Sequence, residues 1–193
     1  MPERLDTYTK KMKKTKEVEI IMNLLKEKIL AIDVHYKENY AKTVGVLFRW
    51  DSESPIDIKS VNIPEVEEYI PGQFYKRELP CILKLLEQID VKTLDIIIVD
   101  GHVYINNERE FGLGGHLYES LRETIPIIGV AKKSFYNTEE VTLPLYRGKS
   151  KNPLFISSIG INTAIAMKKV EQMKGKYRIP DILKILDTKT KEN

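Results

Sequence analysis

The chain has 193 residues, 42% of them apolar and 31% charged. That fits a single globular domain over residues 1–193 with room for a sizeable core, and no stretch approaches the ~20 apolar residues of a membrane span. A net charge of +3, from 31 basic and 28 acidic residues, is compatible with nucleic acid but too small to imply it.

In chain order, residues 14–28 read as an amphipathic helix, with Val18, Ile21, Leu24 and Leu25 at helical spacing. Residues 29–34, 41–50 and 56–62 read as three strands. Their short polar connections predict an antiparallel meander. Pro71-Gly72 breaks the chain before a helix over 73–88. Cys81 falls on that helix beside Ile82, Leu85 and Leu86 and reads as a small core residue. As the only cysteine it excludes an internal disulfide. With a charged N-terminus that lacks a signal peptide's apolar stretch, it suggests a cytoplasmic location.

A strand over 94–100 comes next. Gly112, Gly114 and Gly115 precede a helix at 116–123. Residues 126–131 form another apolar strand, ending at Lys132. A polar segment and a short hairpin from Tyr146 to Ile156 lead to closing helices over 160–174 and 180–189, with Pro180 suited to the first turn of the last. The predicted class is α/β: a mixed sheet flanked by helices, three antiparallel meander strands followed by parallel strands. No G-x-G-x-x-G follows the first strand, and Gly112-x-Gly114-Gly115 has the wrong spacing, so a dinucleotide fold is disfavoured. Two basic clusters read as solvated faces: Lys10, Lys11, Lys13, Lys14 and Lys16, then Arg147, Lys149 and Lys151.

The run Leu94 to Val99 ends in Asp100-Gly101, and Ile29-Leu30-Ala31-Ile32 ends in Asp33. Open α/β sheets place their sites at the carboxyl ends of strands, so two strand-borne carboxylates there could share a divalent cation. Glu78 and Asp187 stand near other element ends. Each residue has a plainer alternative. Asp33 and Asp100 could cap strands, Glu78 could answer the dipole of an early helical turn, and Asp187 could be one more solvated charge. Lys132 could simply reach for solvent, and His116 could be a structural histidine. His35 lies on the Asp33 side if the strand continues, as a partner or a neighbour.

The residues around these acids are similar to those of the endonuclease V family, the deoxyinosine-directed repair nucleases with a ribonuclease H-like fold. Ile32-Asp33 resembles the family's first-strand aspartate. Glu68-Tyr69-Ile70-Pro71-Gly72 with Arg77-Glu78 resembles its P-Y-I-P-G wedge and following R-E pair. Val99-Asp100-Gly101 matches its D-G strand end. Arg109, Gly112 and His116 fit its R-x-x-G-x-x-x-H segment, Ile128 to Lys132 its I-G-V-A-K strand, and Arg178-Ile179-Pro180 with Asp187 its R-I-P segment and final ligand. The ordered blocks span almost the whole chain.

The resemblance implies that Asp33, Glu78, Asp100 and Asp187 hold Mg²⁺, with Mn²⁺ as an alternative. Lys132 would approach the scissile phosphate beside the catalytic acids Asp33, Glu78 and Asp100. Tyr69, Pro71 and Gly72 would part the strands, and Gly101 and His116 would contact the extruded base. The implied activity is a monomeric, Mg²⁺-dependent endonuclease nicking DNA on the 3′ side of deoxyinosine during repair.

The sequence departs from the family at Asp100-Gly101-His102-Val103, where D-G-Q-G is usual, at Glu68, where proline is usual, and at Ser158-Ile159-Gly160-Ile161, which lacks a G-H pair. Val103 is expected to add bulk near the base pocket. These changes motivate two alternatives: a nuclease for inosine in RNA or other modified bases, and a non-catalytic nucleic-acid-binding relative.

Overall fold

In the computed structural model, the structure describes residues 26–64 and 74–192. Seven strands form one mixed sheet in the order β3-β2-β1-β4-β5-β7-β6. β1 (Ile29–Tyr36), β2 (Tyr40–Phe48) and β3 (Asp57–Pro64) make the antiparallel meander. β4 (Ile96–Val99) and β5 (Ile127–Ala131) then run parallel to β1. β6 (Leu143–Leu145) and β7 (Leu154–Ile159) close the far edge as an antiparallel pair.

The central strands are the most apolar because both their faces are covered. All four residues of β4 are buried, as are all five of β5 and the first four of β1. Alternation along them separates two cores. One unites Leu30, Ile32, Ile97 and Val99 with Ile82 and Leu85 of α1 (Phe74–Leu86) and Leu117 of α2 (Leu113–Ser120). The other unites Ile29, Ala31, Ile98 and Val130 with Val170 of α3 (Thr163–Gln172) and Leu186 of α4 (Asp181–Lys191). Cys81 is buried in the first, as expected.

Several expectations need correction. Of the helix expected over 14–28, residues 26–28 are not helical and the rest lies outside the described residues. Strand β2 stops at Phe48, not at residue 50, and strand β4 starts at Ile96. Helix α2 starts at Leu113, three residues before His116. Gly114 and Gly115, expected ahead of the helix, lie inside it and permit close packing. A Cβ on Gly115 would lie 2.5 Å from the Phe111 ring. Pro180 precedes α4 with extended backbone instead of occupying its first turn.

Arg147 is not on a solvated face. It is buried, and its guanidinium donates to the carbonyls of Met173, Gly175, Tyr177 and Arg178. The cation thus organises the α3–α4 connection, where a planar five-donor group can satisfy several carbonyls at once. The lysine cluster at 10–16 lies outside the described residues. No helix among the described residues is long and apolar enough to cross a membrane.

Gly129 on β5 sits under the turn that follows β4. A Cβ there would lie 2.5 Å from the Gly101 carbonyl oxygen and 2.7 Å from Ser157 Oγ. Gly129→Ala is therefore expected to push that turn outward and to destabilise the protein by about 1–3 kcal/mol. Urea unfolding checks this, and an unchanged midpoint would mean the turn yields freely.

Candidate active site

The parallel pairing of β1 with β4 ends at Ile32 opposite Val99. The next residues are Asp33 and Asp100. Equivalent positions on neighbouring strands are about 4.8 Å apart and face the same way. Both carboxylates therefore project on the α3–α4 side, at the carboxyl end of the sheet. Val99 pairs in turn with Gly129, and Lys132 leaves β5 on that same side three residues later.

Lys132 Nζ donates to Asp100 Oδ2 at 2.6 Å. Asp33 Oδ1 accepts the Val34 amide at 2.9 Å, and its Oδ2 lies 3.4 Å from the Thr190 hydroxyl on α4. Asp187 stands mid-helix on α4, where Lys191 Nζ holds its Oδ2 at 2.6 Å. Asp33, Asp100, Lys132 and Asp187 all line one cavity of about 330 Å³ with a floor of Ile32, Ile98 and Val130. His35 is on the same strand face as Asp33, because β1 continues through Tyr36.

Glu78 arrives from the opposite layer, on the second turn of α1. The helix has no acid in its first turn, so Glu78 is not there to answer the dipole. It is buried, at 5% exposure. Burial, then the charges of Asp33 and Asp100, push its carboxyl up to about 9. Burial, followed by the Asp100 charge, likewise pushes Asp33 up to about 6. Lys132 loses some basicity to burial, but the Asp100 hydrogen bond and the charges of Asp100, Asp33 and Asp187 outweigh this and raise it. The acids thus lie in a shared field that favours added positive charge.

A hard divalent cation fits that donor type. As they stand, no three His, Cys, Asp or Glu side chains among the described residues are arranged to hold one ion. Asp100 and Asp187 are instead occupied by the ammonium groups of Lys132 and Lys191.

A second, larger cavity of about 960 Å³ opens beside the first. Gly101, Gly112 and His116 line it, together with Tyr75, His102 and Phe135. His116 is inside α2, stacked on Tyr75 at 3.8 Å and edge-on to Phe111. His102 Nε2 lies 2.8 Å from the Lys133 carbonyl. A carbonyl can only accept, so Nε2 carries the proton and Nδ1 is a buried acceptor without a hydrogen-bond partner. Burial lowers the His102 pKa, against the opposing pull of the Lys133 carbonyl and the Asp100 charge. Val103 does not enter this cavity. It is fully buried in the α1–α2 core, with its amide donating to Ser157 Oγ. Glu68, Tyr69, Ile70, Pro71 and Gly72 lie outside the described residues.

Against known proteins, a family model described as Endonuclease V matches residues 7–188. The chain belongs to the endonuclease V family. The curated Endonuclease V of Pyrococcus horikoshii is 30% identical over 191 residues, covering 99% of this chain and 85% of its own. The Streptomyces avermitilis endonuclease V structure superposes with a TM-score of 0.74 at 21% identity, covering 86% of this chain and 80% of that one. The Ciona intestinalis endonuclease V, in complex with a 24mer DNA containing an inosine followed by a ribo-adenosine, gives 0.70 at 19% identity, covering 85% and 84%. The fold is thus the expected ribonuclease H-like one. Endonuclease V membership implies a nuclease, a phosphodiester hydrolase.

Sequence reasoning overlooked Thr190 beside Asp33 and the aromatic wall made by Tyr75, Phe111, Phe135 and Tyr136. The one available signal was Phe135-Tyr136, an aromatic pair in an otherwise polar segment just after Lys132.

The raised carboxyls have a pH signature. Asp33 and Glu78 rise from 3.8 and 4.5 to about 6 and about 9 in the folded state, so the native protein holds protons that the unfolded chain releases. The metal-free protein is expected to lose stability as pH rises from about 4 to about 9. Glu78→Gln should remove the alkaline part of that loss. Thermal melts in EDTA across this range check it, and parallel curves for the two proteins would contradict it.

Proposed function

We propose that this endonuclease V chain is a divalent-metal-dependent endonuclease that recognises deoxyinosine in DNA and hydrolyses a phosphodiester on its 3′ side in repair. The observation that carries the reading is the register of β1 and β4, which sets Asp33 and Asp100 side by side with Lys132 ion-paired to one of them.

Asp33, Asp100 and Glu78 would hold the metal, with Asp187 joining from α4. Bound there, Mg²⁺ or Mn²⁺ supplies charge neutralisation at the phosphate and a more acidic water. The chain's own residues do the rest. Lys132 can exchange Asp100 for a non-bridging phosphate oxygen, and its raised basicity keeps it charged while doing so. The apolar floor beneath the acids limits water and strengthens every charge interaction above it. The extruded base would enter the larger cavity, against Gly101 and the Tyr75–His116 stack. The Tyr69-Ile70-Pro71-Gly72 segment just before α1 would act as the wedge. A monomer in the cytoplasm is the expected setting.

His102 favours a second reading, inosine in RNA or another altered base. It brings an imidazole to the wall of the base cavity where the family usually has glutamine. Matched DNA and RNA oligonucleotides, each with one inosine, separate the readings by relative cleavage rate.

An end-labelled duplex with a single deoxyinosine should be nicked on the 3′ side with Mg²⁺ and left intact with EDTA. Asp100→Asn should abolish the nick, and Lys132→Ala should slow it about 100- to 1000-fold. Folded protein that leaves both DNA and RNA intact, or an Asp100→Asn variant as active as wild type, would sink the proposal.

A further inference from the structure

The segment after Lys132 presents two exposed aromatic rings. Phe135 is 50% exposed and Tyr136 is 96% exposed. Tyr136 gives nothing to either core, and both residues line the larger cavity. A solvent-exposed tyrosine on a floppy loop would mean little. This loop is tied down at every step.

The Lys133 carbonyl accepts from His102. The Phe135 carbonyl accepts the hydroxyls of Ser134 and Thr138 at 3.1 and 3.0 Å. Asn137 takes the left-handed conformation that asparagine tolerates, with φ of 60°, and its Oδ1 accepts from Asn107 Nδ2 at 2.9 Å. Asn107 Oδ1 in turn accepts the Glu140 amide at 2.9 Å. Phe135 leans on the His102 ring with centroids 4.7 Å apart. The turn is therefore fixed to the loop after β4 at both ends, and Tyr136 stands out from it on a rigid base.

Position supplies the occupant. Four residues of chain span at most about 14 Å, so the Tyr136 ring lies within a few nucleotides of any phosphate that meets Lys132. It also sits on the rim of the cavity that opens at Gly101. A flat, rigid ring at such a place suits a nucleobase that has lost a stacking neighbour, because every base offers a π-face. We propose that Tyr136 is a stacking platform for a nucleotide flanking the extruded base in the cleaved strand. It works from the β5 side of the cavity, with Phe135 and His102 as its footing. The proposal rests on the reading of the larger cavity as the base pocket.

The test is equilibrium binding of fluorescein-labelled oligonucleotides by anisotropy, with Ca²⁺ replacing Mg²⁺ to block cleavage. The exposed position makes Tyr136→Ala safe for folding, which a thermal melt verifies. On a duplex with one deoxyinosine, Tyr136→Ala is expected to bind about 5- to 100-fold more weakly, while Tyr136→Phe keeps wild-type affinity. Abasic residues placed singly at the two positions on each side of the inosine should make one position insensitive to the alanine change. Equal affinity of Tyr136→Ala and wild type overturns the proposal, as does a loss that persists at every abasic position. If wild type does not prefer the inosine duplex over a plain one, the base-pocket reading fails on its own. Tyr136 is then judged on plain single-stranded DNA, where a loss with Tyr136→Ala upholds the platform and no loss removes it.

Discussion

Everything at the candidate site depends on one register, the parallel pairing that sets Ile32 against Val99. A slip of one residue would turn either Asp33 or Asp100 to the other face of the sheet. The register is held by burial on both sides. Ile29 to Ile32 and Ile96 to Val99 have no solvent-facing residue among them, so any slip exposes apolar surface on one face and buries a carboxylate on the other.

Around that pair the structure assembles charge from both layers. Asp187 comes from α4 on the same face, and Glu78 comes through from α1 on the opposite one. This brings carboxylates close in a buried setting, which is unfavourable without compensation. Lys132 and Lys191 supply part of the compensation, each by a short ion pair. Carboxylates that repel one another favour added positive charge, which the proposed divalent cation would supply.

The sheet was legible because its central strands are continuous apolar runs that lead into Asp33, Asp100 and Lys132. That same feature made three site residues legible. What escaped was set by packing instead of periodicity. Gly114 and Gly115 are expected ahead of the helix, yet close contact with Val103 and Phe111 draws them into α2. Arg147 looks like one of three surface cations, yet four carbonyls surround it. The resemblance puts Val103 near the base pocket, because it stands where D-G-Q-G has its second glycine. Its side chain completes the core, and His102 is the residue that faces the cavity. The Phe135-Tyr136 turn had no periodic signature, since loops show exposure only once their hydrogen bonds are known.

The Arg147 strut has a consequence for how the molecule opens. It fastens residues 173–178, and hence the entry to α4, to the edge hairpin of β6 and β7. Arg178 adds a second fastening, donating to the carbonyls of Lys132 and Pro153. Asp33 and Asp100 are anchored in the sheet centre, and α4, which carries Asp187 and Thr190, packs on β1 and β2, so only the entry to α4 is tied to the edge. Hydrogen exchange would see the β6–β7 hairpin and residues 173–178 open together, apart from the sheet centre. Fraying of the hairpin would release the chain that leads into α4, while the packing of that helix on β1 and β2 keeps Asp187 at the site.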